Sequence, residues 1–404
     1  MKEDEYIEKV VITGIGTVSP LGNNSNEFWE NLCAKFDPAD KIQEEDIGNC
    51  IGKKAVQMKG TLHVPSKWEK YNKCYKMVLM AVQEALHRAQ IGMEHKNKRI
   101  GLCIGSTAGN AYDLENFYLS NTEKELTTVP YDFIKNYPVS SITDIVASEF
   151  SIKGMQATIS NACISSALAI QTAYEWVIRG KADMVICGGV DVFRLIQHHI
   201  LSKFKLISAE FSRPLDANRS GFLIGEAAGI LVLEAEDSAK QRGSEVLAKL
   251  CGIASAFDKA SVLGDLSDSC PSLSAMKKVI AEAGLSINDI DLVYANANGT
   301  RQGDIIEVRA LNSLFQNRKE ELYISSVEGA LGHASGASGC MSSIASILSI
   351  VNNIVPPILH HQETDKELMV GCIAKSAVTK KISNVLCNNY NFNGNKLSLL
   401  FGRY

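Results

Sequence analysis

Short apolar runs that read as β-strands alternate with segments that read as amphipathic or apolar helices along the whole 404-residue chain. In the first half the strands are predicted at residues 10–13, 99–104, 183–187 and 228–233, and the helices at 28–35, 74–89 and 164–179. The second half repeats this order, with strands at 247–256, 292–297, 323–325 and 397–401 and helices at 273–283, 305–314 and 342–351. Such alternation predicts an α/β protein with a largely parallel sheet and helices on its faces.

Composition excludes several classes of protein. The chain is 46% apolar and 21% charged with a net charge of −4, which permits a large core and argues against nucleic-acid binding. No apolar stretch is long enough for a membrane span, and the charged first residues lack a signal core, so we expect a cytoplasmic protein. The eleven cysteines show no paired spacing, which indicates reduced thiols and no metal site.

One cysteine has a distinctive setting. Cys163 follows a β-like run at residues 157–160 and opens an apolar helix. A helix N-terminus carries partial positive charge and free N–H groups, which stabilise a thiolate and lower the pKa of a cysteine. This placement suits covalent acyl transfer. The alternative is a small residue that merely fills the strand–helix junction.

Six further segments support the first interpretation when they are taken with residues 161–167. In chain order they are 11–16 with 19–22, 183–189, 212–216 with 221–222 and 225–226, 298–300 with Asp304 and Glu307, 332–333 with Gly336 and Gly339, and 388–394. Together they resemble the motifs of the β-ketoacyl-ACP synthases, a family of condensing enzymes. The resemblance covers essentially the whole chain.

The resemblance implies a thiolase-like fold in which two similar α/β halves, residues 1–245 and 246–404, form a five-layered αβαβα core. Such enzymes usually dimerise and take an acyl chain from an acyl carrier protein (ACP) onto a cysteine. Two histidines then help a malonyl-ACP to lose carbon dioxide, and the resulting enolate attacks the thioester. No bound cofactor is expected, because the ACP carries the phosphopantetheine arm.

Several residues match the family's functional positions. Cys163 matches the nucleophile, and His333 matches the second histidine, although a buried histidine satisfied by backbone groups is the alternative. Phe392 matches the phenylalanine of a glycine-rich gating loop, and Ile164 matches a position that lines the acyl pocket. Thr300 is the better match to the threonine that holds the phosphopantetheine arm, and Gln302 is the weaker one, because the loop is about two residues short.

Two replacements affect the malonyl side of the reaction. Asn298 stands where the first histidine is expected; its amide could stabilise an enolate but cannot shuttle a proton. The alternative role for Asn298 is to shape a turn before Gly299. Glu328 stands where the family has a lysine that pairs with the residue matched by Glu307. Two facing carboxylates predict a raised pKa for one of them or a rearrangement, and a bridging metal has no supporting ligand pattern.

The sequence also predicts features of the gating loop and of the surface that would bind the carrier protein. Asn391 and Asn393 replace loop glycines, and asparagine tolerates left-handed backbone angles better than most residues. Because ACPs are acidic, we expect a basic docking face. Five lysines are candidates, with a simple solvated helix face as the alternative: Lys67, Lys70 and Lys73 at a spacing of three, which predicts one side of a helix, and Lys203 with Lys205.

Three functions fit these features. The favoured one is an ACP-dependent acyltransferase in fatty-acid or polyketide synthesis whose elongation is weak alone. A fully active condensing enzyme that uses Cys163, Asn298 and His333 is the second, and a non-catalytic chain-length partner in a heterodimer is the third. Cys163 argues against the third, because such partners usually lack the cysteine. A thiolase is rejected because residues 212–226 follow the ketosynthase pattern and no second catalytic cysteine lies within the C-terminal loop.

Overall fold

The structure is a computed structural model that describes residues 9–43, 48, 50–92, 99–119, 121, 137–259 and 269–404. The charged residues 1–8 and parts of the irregular segments 36–63 and 110–137, which we interpret from the sequence as insertions, lie outside the described residues. Within the described ranges, no helix is both long enough and apolar enough to cross a membrane.

The strands and helices are numbered in chain order. The strands are β1 (Val10–Val18), β2 (Asp40–Lys41), β3 (Lys54–Ala55), β4 (Ile100–Gly105), β5 (Gln156–Ile159), β6 (Met184–Asp191), β7 (Ala227–Ala235), β8 (Ala248–Phe257), β9 (Leu292–Tyr294), β10 (Tyr323–Ser325), β11 (Ile354–Val355), β12 (Val378–Thr379), β13 (Asn384–Tyr390) and β14 (Asn395–Gly402). The helices are α1 (Ser25–Cys33), α2 (Lys73–Arg88), α3 (Ala111–Leu119), α4 (Ser141–Glu149), α5 (Ser165–Ile178), α6 (Leu195–Lys203), α7 (Glu236–Gln241), α8 (Cys270–Glu282), α9 (Arg301–Phe315), α10 (Glu328–Leu331) and α11 (Ser338–Asn352).

The sheet shows that the two halves have the same topology. Among the described residues, ten strands form one sheet in the order β10-β9-β13-β14-β8-β1-β7-β6-β4-β5. In each half the first strand pairs antiparallel with the last, the last pairs antiparallel with the fourth, and the remaining pairs are parallel. A short antiparallel contact between β1 and β8 joins the halves. The duplication that the order of elements suggested is therefore visible in the strand connections.

Helices cover both faces of each half-sheet. Helices α2 and α4 pack on the outer face of the first half, and α8 packs with α9 on the outer face of the second. Helices α5 and α11 lie between the halves and contact each other. A Cβ at Gly339 on α11 would lie 2.8 Å from the Cβ of Ala167 on α5, so glycine is required for this close approach. The arrangement is the five-layered α/β core that the resemblance implied.

Most predicted elements are confirmed to within a few residues, but several observed elements are missing from the prediction, among them helices α3, α7 and α10 and the short strands β2, β3, β11 and β12. Helices α4 and α6 were not predicted. Strand β13 was not predicted either, and residues 388–390 belong to this strand rather than to a loop. Buried asparagines explain the error: Asn388 donates a hydrogen bond to Glu307 (2.9 Å) and accepts one from Ser398 (2.8 Å). These partners let polar residues occupy a central strand.

Candidate active site

The nucleophile turn connects β5 to α5. Ala162 adopts a left-handed backbone conformation (φ 47°), which is rare for a residue with a side chain and occurs mainly where the surrounding structure enforces it. Ser165, the first residue of α5, accepts a hydrogen bond from Asn161 N (2.9 Å) and donates one to Ala162 O (2.7 Å). The turn leaves Cys163 partly exposed just before the helix.

His333 is fixed by the mid-chain segment at residues 212–226. Its backbone N–H donates to Leu223 O (2.8 Å), and its carbonyl accepts from Gly225 N (3.0 Å). The ring of Phe222 packs on the imidazole with centroids 4.8 Å apart. Residues 212–226, one of the segments that resemble the family's motifs, therefore fix the position of the histidine.

Cys163, His333 and Glu328 form a hydrogen-bonded chain. Nε2 of His333 lies 3.0 Å from Sγ of Cys163, and Nδ1 lies 2.9 Å from Oε2 of Glu328. Both His333 and Glu328 are buried. The chain turns at Gly332 (φ 66°), which directs His333 back towards the carboxylate at the start of α10. This contact was not predicted from the sequence.

The surroundings of His333 favour its charged form. Burial lowers the pKa of His333, but the carboxylate of Glu328 and the Cys163 side chain outweigh burial, so the pKa lies well above its ordinary value. Because Nε2 faces Sγ of Cys163 at 3.0 Å, this positive charge lies directly beside the sulfur.

The Asn298 side chain has two ends with different surroundings. Its Oδ1 accepts hydrogen bonds from Thr300 N (3.1 Å) and Thr300 Oγ1 (2.9 Å). The turn is further held by Asp304, which accepts from the N–H groups of Asn298 and Gly299 (3.1 Å each). Asn298 thus shapes the turn, as the alternative interpretation held. Its Nδ2 donates to no residue in the described ranges and remains available to a substrate oxygen.

Glu307 and Glu328 have separate partners. Oε1 of Glu307 accepts from Asn388 Nδ2 (2.9 Å) and Asn296 N (3.1 Å), whereas Glu328 binds His333. Burial, with a smaller contribution from Asp304, raises the pKa of Glu307 to about 7. Of the two predicted outcomes for facing carboxylates, the structure therefore has the rearrangement, and burial accounts for the raised pKa.

Replacing Glu307 by glutamine should stabilise the protein in a pH-dependent way. Because the pKa of Glu307 is raised to about 7 in the folded protein, its contribution to stability is greatest below pH 4.5 and declines as pH rises to 7. Glutamine does not titrate. The free energy of unfolding of E307Q, relative to that of the unmodified chain, should therefore rise by about 2 kcal/mol from pH 5 to pH 8. Urea unfolding at both pH values measures this gain. The exposed Glu320→Gln is the control, and an E307Q gain that is equal at both pH values would contradict the burial of a charge.

The gating-loop match lies between β13 and β14. Phe392 is partly buried against the cluster that contains Phe222, the ring that packs on His333. Asn391 and Asn393 do not use left-handed angles, whereas Gly394 in the same turn does (φ 92°). Asn391 instead donates from Nδ2 to Oδ1 of Asn161 (3.0 Å), which ties the loop to the nucleophile turn.

The remaining predicted residues differ in their exposure to solvent. Ile164 is 1% exposed, directly beside the nucleophile. Thr300 is buried, with its hydroxyl directed to Asn298, whereas Gln302 is exposed on α9. Among the described residues, no group of three or more His, Cys, Asp or Glu side chains is placed to hold a metal ion.

Lys67, Lys70 and Lys73 do not share one helix face, so that part of the docking prediction was wrong. Lys67 lies in a 3₁₀ turn (Ser66–Trp68), Lys70 lies in the connection that follows, and Lys73 begins α2. Lys73 forms an ion pair with the buried Glu226 and is not a free surface charge. Lys67 and Lys70 are exposed and lie over the rings of Trp68 and Tyr71. Lys203 and Lys205, at the end of α6, are also exposed.

Comparison with known proteins decides the family. Residues 7–239 match the family model described as "Beta-ketoacyl synthase, N-terminal domain", and residues 247–362 match "Beta-ketoacyl synthase, C-terminal domain". The chain belongs to the β-ketoacyl synthase family. It is 28% identical to 3-oxoacyl-[acyl-carrier-protein] synthase 2 of Staphylococcus aureus (strain COL), over 98% of this chain and 99% of that protein.

Solved structures of β-ketoacyl synthases share the fold. A β-ketoacyl synthase from Burkholderia phymatum superposes with a TM-score of 0.89 at 26% identity, covering 98% of this chain and all of that one (100%). The ishigamide ketosynthase/chain length factor gives 0.89 at 24% identity, covering 98% and 99%. A type II polyketide-synthase acyl carrier protein in complex with its ketosynthase gives 0.90 at 22% identity, also covering 98% and 99%.

Proposed function

We propose that this β-ketoacyl synthase takes an acyl chain from an ACP onto Cys163 and performs decarboxylative condensation only weakly by itself. The observation that carries the proposal is the 3.0 Å contact between Cys163 Sγ and His333 Nε2. The thiolate attacks the thioester of the phosphopantetheine arm, and His333 gives its proton to the departing thiolate, which leaves as the free thiol. Among the described residues, the backbone N–H groups of Cys163 and Phe392 have no acceptor, which supports their use as an oxyanion hole.

The malonyl side supports weak elongation. Asn298 offers an amide donor but no titrating group, and the carboxylate of Glu328 occupies the place of a lysine. A purely chain-length-determining role is the second candidate, because one structural relative is a ketosynthase/chain length factor. The intact Cys163–His333 contact favours acyl loading over that role.

A two-stage assay tests the proposal. The protein is incubated with octanoyl-ACP and then with malonyl-ACP, while intact mass spectrometry follows both the protein and the ACP products. We expect an octanoyl adduct on the unmodified chain, none on C163A, and little β-ketoacyl-ACP. Rapid product formation would contradict weak elongation, and the absence of any adduct would contradict acyl loading.

Docking of the acidic ACP is expected to involve Lys67 and Lys70. Both are exposed, so the double charge reversal K67E/K70E should weaken ACP binding roughly tenfold at low salt and less at high salt. Fluorescence anisotropy with labelled ACP measures the change. The matched control is K277E/K278E on α8, the outer helix of the other half. An unchanged affinity at low salt would contradict docking at Lys67 and Lys70 and would indicate that the ACP binds at Lys203 and Lys205 or elsewhere.

A further inference from the structure

The carboxylate behind the histidine gives this site a second chemical capability. We propose that Cys163, His333 and Glu328 act as a nucleophile–base–carboxylate triad that passes the acyl group from Cys163 to the oxygen or nitrogen of a hydroxyl, amine or water acceptor. This inference rests on the proposed loading of Cys163 and names the class of molecule that unloads it. Carbon–carbon bond formation does not require such a triad.

The hydrogen bonds of His333 determine which of its two ring nitrogens acts as the base. An ionised carboxylate only accepts hydrogen bonds, so the contact of 2.9 Å with Glu328 places a proton on Nδ1. In the neutral ring the lone pair is then on Nε2, which faces Sγ at 3.0 Å. A base directed at the acyl-bearing atom, with an orienting carboxylate behind it, is the arrangement that activates nucleophiles in acyl transfer.

The transfer balances without another reactant. In the acyl-enzyme, Nε2 of neutral His333 accepts the proton of the acceptor's O–H or N–H group while that oxygen or nitrogen attacks the thioester carbon. The tetrahedral intermediate collapses, the C–S bond breaks, and the electron pair returns to Sγ. The products are an ester, amide or acid and a thiolate beside an imidazolium, so that Cys163 can be acylated again.

Condensation places a different demand on the site. Its attacking carbanion arises when a C–C bond to carbon dioxide breaks, so no proton has to be removed from the nucleophile. Of the two histidines that assist decarboxylation in the family, Asn298 replaces the first here. The site thus combines a weakened arrangement for malonyl chemistry with an added arrangement for proton abstraction from a heteroatom.

Two titratable groups influence the charge of the His333 imidazole in the part of the chain that the structure describes. Among the described residues, the titratable groups that act on the imidazole are Glu328, from α10, and Cys163, from the nucleophile turn. The other close neighbours are the Phe222 ring and backbone groups of Leu223 and Gly225. When Cys163 is acylated it carries no charge, and Glu328 alone remains to orient and charge the histidine.

The lifetime of the acyl-enzyme tests this inference. The protein is loaded with octanoyl-pantetheine, a small donor that needs no ACP docking, and freed from excess donor. Loss of the octanoyl mass is then followed from pH 5 to pH 9 in water, in glycerol solution and in ethanolamine solution, with the products analysed for acid, ester and amide. E328Q, which is nearly isosteric, is compared with E328A and with the distant exposed control Glu320→Gln.

We expect unloading of the unmodified chain to be about 10²–10⁴-fold faster than that of E328Q. Its rate should rise with pH through the pKa of His333, because neutral imidazole is the base. In E328Q this rise should move to lower pH, because the carboxylate that raises the pKa is gone, a shift that a merely structural defect would not produce. Equal lifetimes and equal pH profiles would overturn the triad. Failure to load from octanoyl-pantetheine would instead contradict the proposed function.

Discussion

Replacing His333 by alanine should slow the acylation of Cys163 by about 10²–10⁴-fold. The reason is the pair formed by Sγ and Nε2 at 3.0 Å. Without the imidazolium, the thiolate loses its counter-charge, and the departing phosphopantetheine thiolate loses its proton donor. The rate is measured as the appearance of the octanoyl adduct by intact mass spectrometry after mixing with octanoyl-ACP.

The pH dependence of acylation distinguishes this role from a structural one. In the unmodified chain, acylation should fall as pH rises through the pKa of His333, because the protonated form is the acid. H333A should lack that limb of the profile. His87→Ala, at an exposed position in the last turn of α2, is the control and should acylate normally. An H333A protein that loads at the normal rate would show that the histidine is only a packing residue.

The double replacement N298H/E328K should raise condensation with malonyl-ACP by about 10²–10⁴-fold. It restores the family's histidine for decarboxylation and supplies a lysine where the family pairs one with the residue matched by Glu307. The same change removes the carboxylate from His333, so unloading to water, glycerol or ethanolamine should fall. The measurement is the yield of β-ketoacyl-ACP set against the yield of acid, ester and amide.

The two single variants provide the matched controls. N298H alone should improve condensation in part and leave Glu328 in contact with His333, so that unloading persists. It also removes the acceptor of two hydrogen bonds from Thr300, which should cost about 1 kcal/mol of stability. E328K alone should lose unloading without gaining full condensation. If both activities move in the same direction in the double variant, the two reactions do not depend on separate parts of the site.

The sequence predicts this fold well because apolar periodicity carries most of the information. Helix α2, predicted at residues 74–89 and found at Lys73–Arg88, shows how reliable a long amphipathic pattern is. Strand β13 was not predicted from apolar periodicity because Asn388 and Asn389 give it the composition of a loop. Their burial depends on partners such as Glu307 and Ser398, which lie far away in the sequence.

The candidate site was predicted unevenly for a similar reason. Cys163 and His333 are signalled by local patterns, a strand–helix junction and a glycine–histidine pair. The role of Glu328 depends instead on the left-handed turn at Gly332, which brings together residues that would lie apart on a continuous helix. The spacing of three in Lys67, Lys70 and Lys73 misled because the helix begins only at Lys73.

The close packing of α5 on α11 has a consequence for how such a chain can change over generations. The nucleophile precedes α5 in one half, whereas the base precedes α11 in the other, so the gap between the two helices also sets the gap between sulfur and nitrogen. At Gly339 and Ala167 that gap has no spare room. A substitution that enlarges either residue would therefore push the cysteine and the histidine apart, although neither residue has any chemistry of its own.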